Sequence, residues 1–154
     1  MDNAGIASIF NYHAVDDAVS TSGQPSESEF QAIAQSGFEV IINLALHDDP
    51  RYSLPDEAGL VKSLGMEYVH IPVQFGAPTE EDLLAFFSAM EKYQGRKLFI
   101  HCAANKRVTA FFGLYRAMQL NWDVGKAFEL MRDVWEPDPV WSTFIAHMLE
   151  KNRR

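Results

Sequence analysis

The chain has 154 residues, 47% of them apolar, and a formal net charge of -8. That length suits one domain with its own core, so residues 1–154 are read as a single unit. The acidic balance argues against a nucleic-acid footprint, which needs clustered Lys and Arg, and no apolar run is long enough to span a bilayer.

Met1-Asp2-Asn3-Ala4-Gly5 lacks a basic patch followed by an apolar run, so no signal peptide is expected and cytoplasmic residence is the default. Two strands, over 12–15 and 19–22, lead into Gly23-Gln24-Pro25. Ser26-Glu27-Ser28-Glu29 has the spacing of a capping box, and the helix it opens turns Phe30, Ile33 and Ala34 inward before Gly37 ends it. Val40-Ile41-Ile42-Asn43-Leu44 is a continuous apolar strand of the kind buried on both faces of a parallel sheet. A polar loop, His47-Asp48-Asp49-Pro50-Arg51, precedes a helix over 55–64.

A strand over 66–69 runs into Ile71-Pro72-Val73, where Pro72 demands an edge or a loop. Thr79 caps a long helix carrying Leu83, Phe86, Phe87 and Met90 on one face, and Gly95 ends it. Lys97-Leu98-Phe99-Ile100 is the last strand and delivers the chain into Cys102. Beyond the next loop, Val108, Phe111, Phe112, Tyr115 and Met118 recur at helical spacing. Two further helices are expected over 124–134 and 140–151, separated by Glu136-Pro137-Asp138-Pro139. The alternation predicts an α/β domain with a central, mainly parallel sheet of about five strands flanked by helices.

The chemistry concentrates in His101-Cys102-Ala103-Ala104-Asn105-Lys106-Arg107. A strand, a short loop and a helix present loop amides at a helix N-terminus, where N–H groups lack intrahelical partners and the helix dipole favours an anion. Ala103, Ala104, Asn105 and Lys106 would line that cradle with backbone, and Arg107 could close over the anion with two parallel hydrogen bonds. The same amides and arginine favour the Cys102 thiolate, a nucleophile aimed at the bound oxyanion. Cys102 is the single cysteine, which rules out an intramolecular disulfide and a multi-cysteine zinc site. The five histidines, at 13, 47, 70, 101 and 147, form no ligand-like pair, so neither a metal nor another cofactor is expected. The expected partner is a small anionic or phosphorylated substrate, with phosphate or sulfate able to occupy the loop, and neither nucleic acid nor membrane.

The strand-His-Cys-loop-Arg-helix unit resembles the protein tyrosine and dual-specificity phosphatase superfamily. More narrowly, the chain resembles a bacterial phosphatase-like family, some of whose members are fused to metallo-β-lactamase-like hydrolases. Thr21-Ser22-Gly23-Gln24-Pro25, Ile42-Asn43-Leu44, Gly65-Met66-Glu67-Tyr68-Val69-His70-Ile71-Pro72-Val73 and the cysteine loop carry that resemblance in order. It implies a dual-specificity-phosphatase-like fold, a site at the carboxyl edge of the sheet, and phosphoester hydrolysis with Cys102 and Arg107 as catalytic residues.

Three features depart from the family pattern. Four residues separate Cys102 from Arg107 where the phosphatase signature has five, and Asn105 stands where glycine is common; asparagine tolerates a positive φ better than other non-glycine residues. Val108 replaces the hydroxyl residue that follows the arginine, with Thr109 one step later. Residues 73–78 contain no acid where dual-specificity phosphatases place one. Asp48 and Asp49, after the strand over 40–44, are the better substitutes, with Asp48 taken as the general acid and His70 as a third candidate. Glu80, Glu81 and Asp82 read as first-turn carboxylates. Trp135-Glu136-Pro137-Asp138 reads as a helix connector, while Phe75 and Trp135 could shape a substrate pocket. The short loop also resembles that of rhodaneses, which leaves sulfur transfer through a Cys102 persulfide as an alternative. A non-catalytic module that binds an anionic ligand is another.

Overall fold

The computed structural model describes residues 4–46 and 53–153. Five strands form one sheet: β1 (His13–Ala14), β2 (Val19–Ser22), β3 (Val40–Asn43), β4 (Glu67–His70) and β5 (Leu98–His101), in the order β1-β2-β5-β3-β4. Only β1 runs antiparallel, at one edge; every other pairing is parallel. The mainly parallel α/β sheet expected from the alternation is therefore present, and β4 is the far edge that Pro72 required.

Strand parity sorts the core into two layers. Val40, Ile42, Leu98 and Ile100 pack with helices α4 (Glu80–Lys92), α5 (Lys106–Met118), α7 (Glu129–Val134) and α8 (Pro139–Asn152). Ile41 and Phe99, on the opposite face, pack with α1 (Ala4–Ala7), α2 (Glu27–Gln35) and α3 (Glu57–Ser63). Both central strands are buried throughout, which explains their unbroken apolar sequences.

Local signals set several boundaries. Ser26 accepts from the Glu29 N–H at 3.2 Å while Glu29 Oε1 accepts from the Ser26 N–H at 2.8 Å, a complete capping box on α2. Thr79 caps α4 through the Asp82 N–H. The helix expected over 124–134 is instead two pieces, α6 (Val124–Ala127) and α7, broken at Phe128. The Phe128 ring lies so close to Gly113 of α5 that a Cβ there would come within 2.3 Å of it. The break thus seats an aromatic ring on the glycine notch of the central helix. The short α1, not anticipated from the sequence, buries Ile6, and Ile9 beyond it is buried too.

The register places Ser22, His101, Asn43 and His70 in one row along the carboxyl edge, since Ser22 and Asn43 flank His101 and His70 flanks Asn43. Cys102 is the next residue out from that row.

Candidate functional site

Cys102 leaves β5 with the parity of Ile100, and it is wholly buried. The loop after it is held from outside by its carbonyl oxygens. The Ala103 carbonyl accepts from the Gln24 N–H at 3.0 Å, and the Ala104 carbonyl accepts from Asn11 Nδ2 at 3.1 Å. Gly23 makes this approach possible, because a Cβ there would stand 2.6 Å from the Ala103 oxygen. A trans peptide sets its C=O and N–H antiparallel, so carbonyls tied outward turn the following N–H groups the other way. Among the described residues, the N–H groups of Ala103, Ala104 and Lys106 have no partner.

Asn105 ends the loop at φ 65°, ψ 8°, the left-handed conformation that a glycine would adopt without strain. Its side chain does not cap α5; Nδ2 donates to the Asn11 carbonyl and to Thr21 Oγ1, both at 2.9 Å. The first N–H groups of α5 therefore stay open at the positive end of a thirteen-residue helix.

Arg107 lies in the first turn of that helix and is 8% exposed. Its Nη1 donates to the Val73 carbonyl at 2.8 Å, and the guanidinium carbon lies 5.9 Å from the centre of the Phe75 ring. Its Nε is buried without a hydrogen-bond partner. Residues 73–78 thus position the arginine with backbone and an aromatic ring. Phe75 in turn touches Trp135 and Trp141, and its carbonyl accepts from Trp141 Nε1 at 2.7 Å.

The remaining sequence candidates divide clearly. Asp48 and Asp49 lie outside the described residues. His70 closes β4, with Nε2 2.6 Å from the Ala45 carbonyl. Thr109, one step after the place of the missing hydroxyl, is buried, donates to the Lys106 carbonyl and accepts from Trp135 Nε1 at 3.1 Å. Asp138 caps α8, accepting from the Trp141 N–H. Trp135, at the connector, is brought to the site, with Lys106 Nζ 5.7 Å from its ring centre.

Behind the loop lies a buried polar group that sequence reasoning missed. His101 and Glu57 are both 0% exposed, with Nε2 2.6 Å from Oε2. Glu57 Oε1 accepts from Gln24 Nε2 at 2.8 Å, and Tyr68 also hydrogen-bonds this carboxylate. Burial, with the Glu57 charge beside it, holds the Tyr68 phenol well above its ordinary pKa. Asn43 Nδ2 donates to the Tyr68 hydroxyl at 3.0 Å. The only sequence hint was the polar residues Asn43 and His101 at the ends of otherwise apolar strands.

A family model described as "DSP-PTPase phosphatase fused to NAD+ Kinase" matches residues 10–134. The chain belongs to this family. Over 107 residues this phosphatase-family chain is 30% identical to a beta-lactamase hydrolase-like protein of Agrobacterium fabrum (strain C58 / ATCC 33970), covering 68% of the chain and 24% of that relative. A beta-lactamase hydrolase-like protein of Xylella fastidiosa (strain Temecula1 / ATCC 700964) is 30% identical over 102 residues, covering 65% of the chain and 23% of the relative. The chain therefore spans about a quarter of the length of these relatives.

The crystal structure of a phosphatase-like protein (DUF442) from Shewanella putrefaciens CN-32 superposes with a TM-score of 0.86 at 31% identity, covering 98% of this chain and 99% of that one. The structure of PTPMT1 in complex with PI(5)P superposes with a TM-score of 0.77 at 19% identity, covering 92% and 96%, and shares the fold. The dual-specificity-phosphatase fold implied by the sequence is thus present. No helix among the described residues is long and apolar enough to cross a membrane.

Proposed function

We propose that this protein is a cysteine-dependent phosphatase that hydrolyses phosphoesters through a phosphocysteine intermediate. Arg107 carries the reading. It is a buried cation with an unpartnered Nε–H, and among the described residues no carboxylate lies within ion-pair distance of it. Burying a charge without a counter-ion is costly, so such a group calls for a ligand of opposite sign. A tetrahedral oxyanion beside the open amides of Ala103, Ala104, Lys106 and Arg107 would satisfy both.

In this mechanism the Cys102 thiolate attacks phosphorus and the bond from phosphorus to the leaving oxygen breaks. Water then attacks the phosphocysteine, which releases inorganic phosphate and returns the thiolate. The loop amides and Arg107 hold the remaining phosphoryl oxygens as charge redistributes. Asp48, between β3 and α3 in sequence, is the general acid that protonates the leaving oxygen, a role typically worth about 10²–10⁴-fold. The substrate is a small phosphorylated or similarly anionic molecule. The match to a phosphatase family along most of the chain favours this chemistry over sulfur transfer.

Replacing the nucleophile provides the test. Cys102→Ser is expected to abolish hydrolysis of p-nitrophenyl phosphate while inorganic phosphate still raises Tm. Activity at the wild-type level in that variant contradicts the mechanism.

A further inference from the structure

Glu57 is fully buried, is tied to His101, Gln24 and Tyr68, and has no part in the mechanism above. Gln24 Nε2 donates to Glu57 Oε1, and His101 Nε2 meets Glu57 Oε2. The other ring nitrogen of His101, Nδ1, faces the Cys102 carbonyl oxygen at 3.2 Å. That oxygen has no proton to give, so Nδ1 is the nitrogen that carries a proton and donates it.

We propose that Glu57 is a positioning residue for Cys102, acting through His101. By holding Nε2 through Oε2 it fixes the ring so that Nδ1–H holds the Cys102 carbonyl. The peptide between Cys102 and Ala103 is planar and trans, so this hold sets the Ala103 N–H on the side away from His101. One carboxylate thus orients both the backbone that aims the thiol and the first amide of the cradle. Strand parity is what makes the arrangement possible: His101 shares the face of Ile41 and Phe99, against α2 and α3, while Cys102 turns to the opposite face.

The kinetic arm of the test rests on the phosphatase reading; the spectroscopic arm does not. In the full chain labelled with ¹⁵N-histidine, with the His101 signals assigned by their loss in His101→Asn, Nδ1 of His101 is expected to carry a proton. A bare Nδ1 overturns the proposal, whatever the enzyme does. Glu57→Gln keeps the size but replaces one acceptor oxygen with a donor. It is expected to lower kcat on p-nitrophenyl phosphate about ten- to a hundredfold, the range seen when an outer partner of a functional histidine is removed, with KM little changed. In a His101→Asn background the same change is expected to have little further effect. If Glu57→Gln lowers Tm but leaves kcat intact, or multiplies with His101→Asn, Glu57 is only a structural residue and the proposal fails. Tyr68→Phe, which removes one partner of Glu57 but leaves its contact with His101, is expected to fold and to lose less than Glu57→Gln. A loss as large as that of Glu57→Gln counts against His101 as the link. If the wild type hydrolyses nothing, the phosphatase reading falls and the ring-nitrogen measurement still decides the role of Glu57.

Discussion

The two ends of the sheet each hold a carboxyl oxygen and a side-chain nitrogen 2.6 Å apart, and they have almost nothing else in common. At the amino end, Arg96 Nε meets Glu39, with Glu67 at 3.4 Å from Nη2, and these side chains are 41–52% exposed. At the carboxyl end, Glu57 meets His101 with both side chains fully buried. Water screens the first pair and already solvates both partners, so its removal changes little. In the second, both side chains are cut off from water, and losing one leaves a polar group buried without its partner. Distance does not distinguish the two. Burial does, and only the buried pair stands behind the Cys102 loop.

The largest effect should come from breaking the buried pair outright. Glu57→Ala is expected to destabilise the fold by about 3–5 kcal/mol, read from the midpoint of urea unfolding. A loss no greater than that of an ordinary surface substitution would show that water enters this site and would erase the contrast between the two ends. Next comes Asn105, whose backbone and side chain are both committed. Asn105→Ala places a Cβ residue at φ 65° and deletes two hydrogen bonds, for an expected loss of about 2–3 kcal/mol. Asn105→Gly relieves the backbone and should recover part of that loss. Equal losses for the two would mean that the side-chain bonds, not the left-handed turn, fix the loop.

The smallest effect belongs to the amino end. The Lys97 N–H, then Arg96, hold the Glu39 carboxyl below the usual carboxylate range. A carboxyl with a depressed folded-state pKa adds stability above its unfolded pKa and loses it as pH falls through the folded value. Glu39→Gln should therefore lie slightly below wild type near neutrality, and the two unfolding curves should converge in acid. A gap that widens toward low pH would reverse the sign of that argument.

Much of this was legible in the sequence, because much of it is local. Ser26 and Thr79 announce helix starts, Pro72 announces an edge, and the apolar runs at 40–44 and 97–100 announce buried parallel strands. The cysteine loop was visible for the same reason: strand, small residues, arginine and helix are contiguous. Glu57 was not, since an acidic residue in the first turn of a helix reads as a solvated partner of the helix dipole. Its burial follows from the parity of His101 and the packing of α3 against β4 and Tyr68, which no window of sequence contains. The split at Phe128 was hidden likewise, because its cause, the notch at Gly113, lies on a different helix. Residues 73–78, which carry no acid, instead hold Arg107 with a carbonyl and a ring.

The central claim is that Cys102 carries the phosphoryl group, and the chain's single cysteine makes that claim open to direct measurement. The protein is mixed with p-nitrophenyl phosphate, quenched during turnover, and the peptide containing Cys102 is weighed. A gain of one phosphoryl group on Cys102, absent from Cys102→Ser, is the result predicted. An unmodified Cys102 at every quench time while p-nitrophenol is released would contradict it.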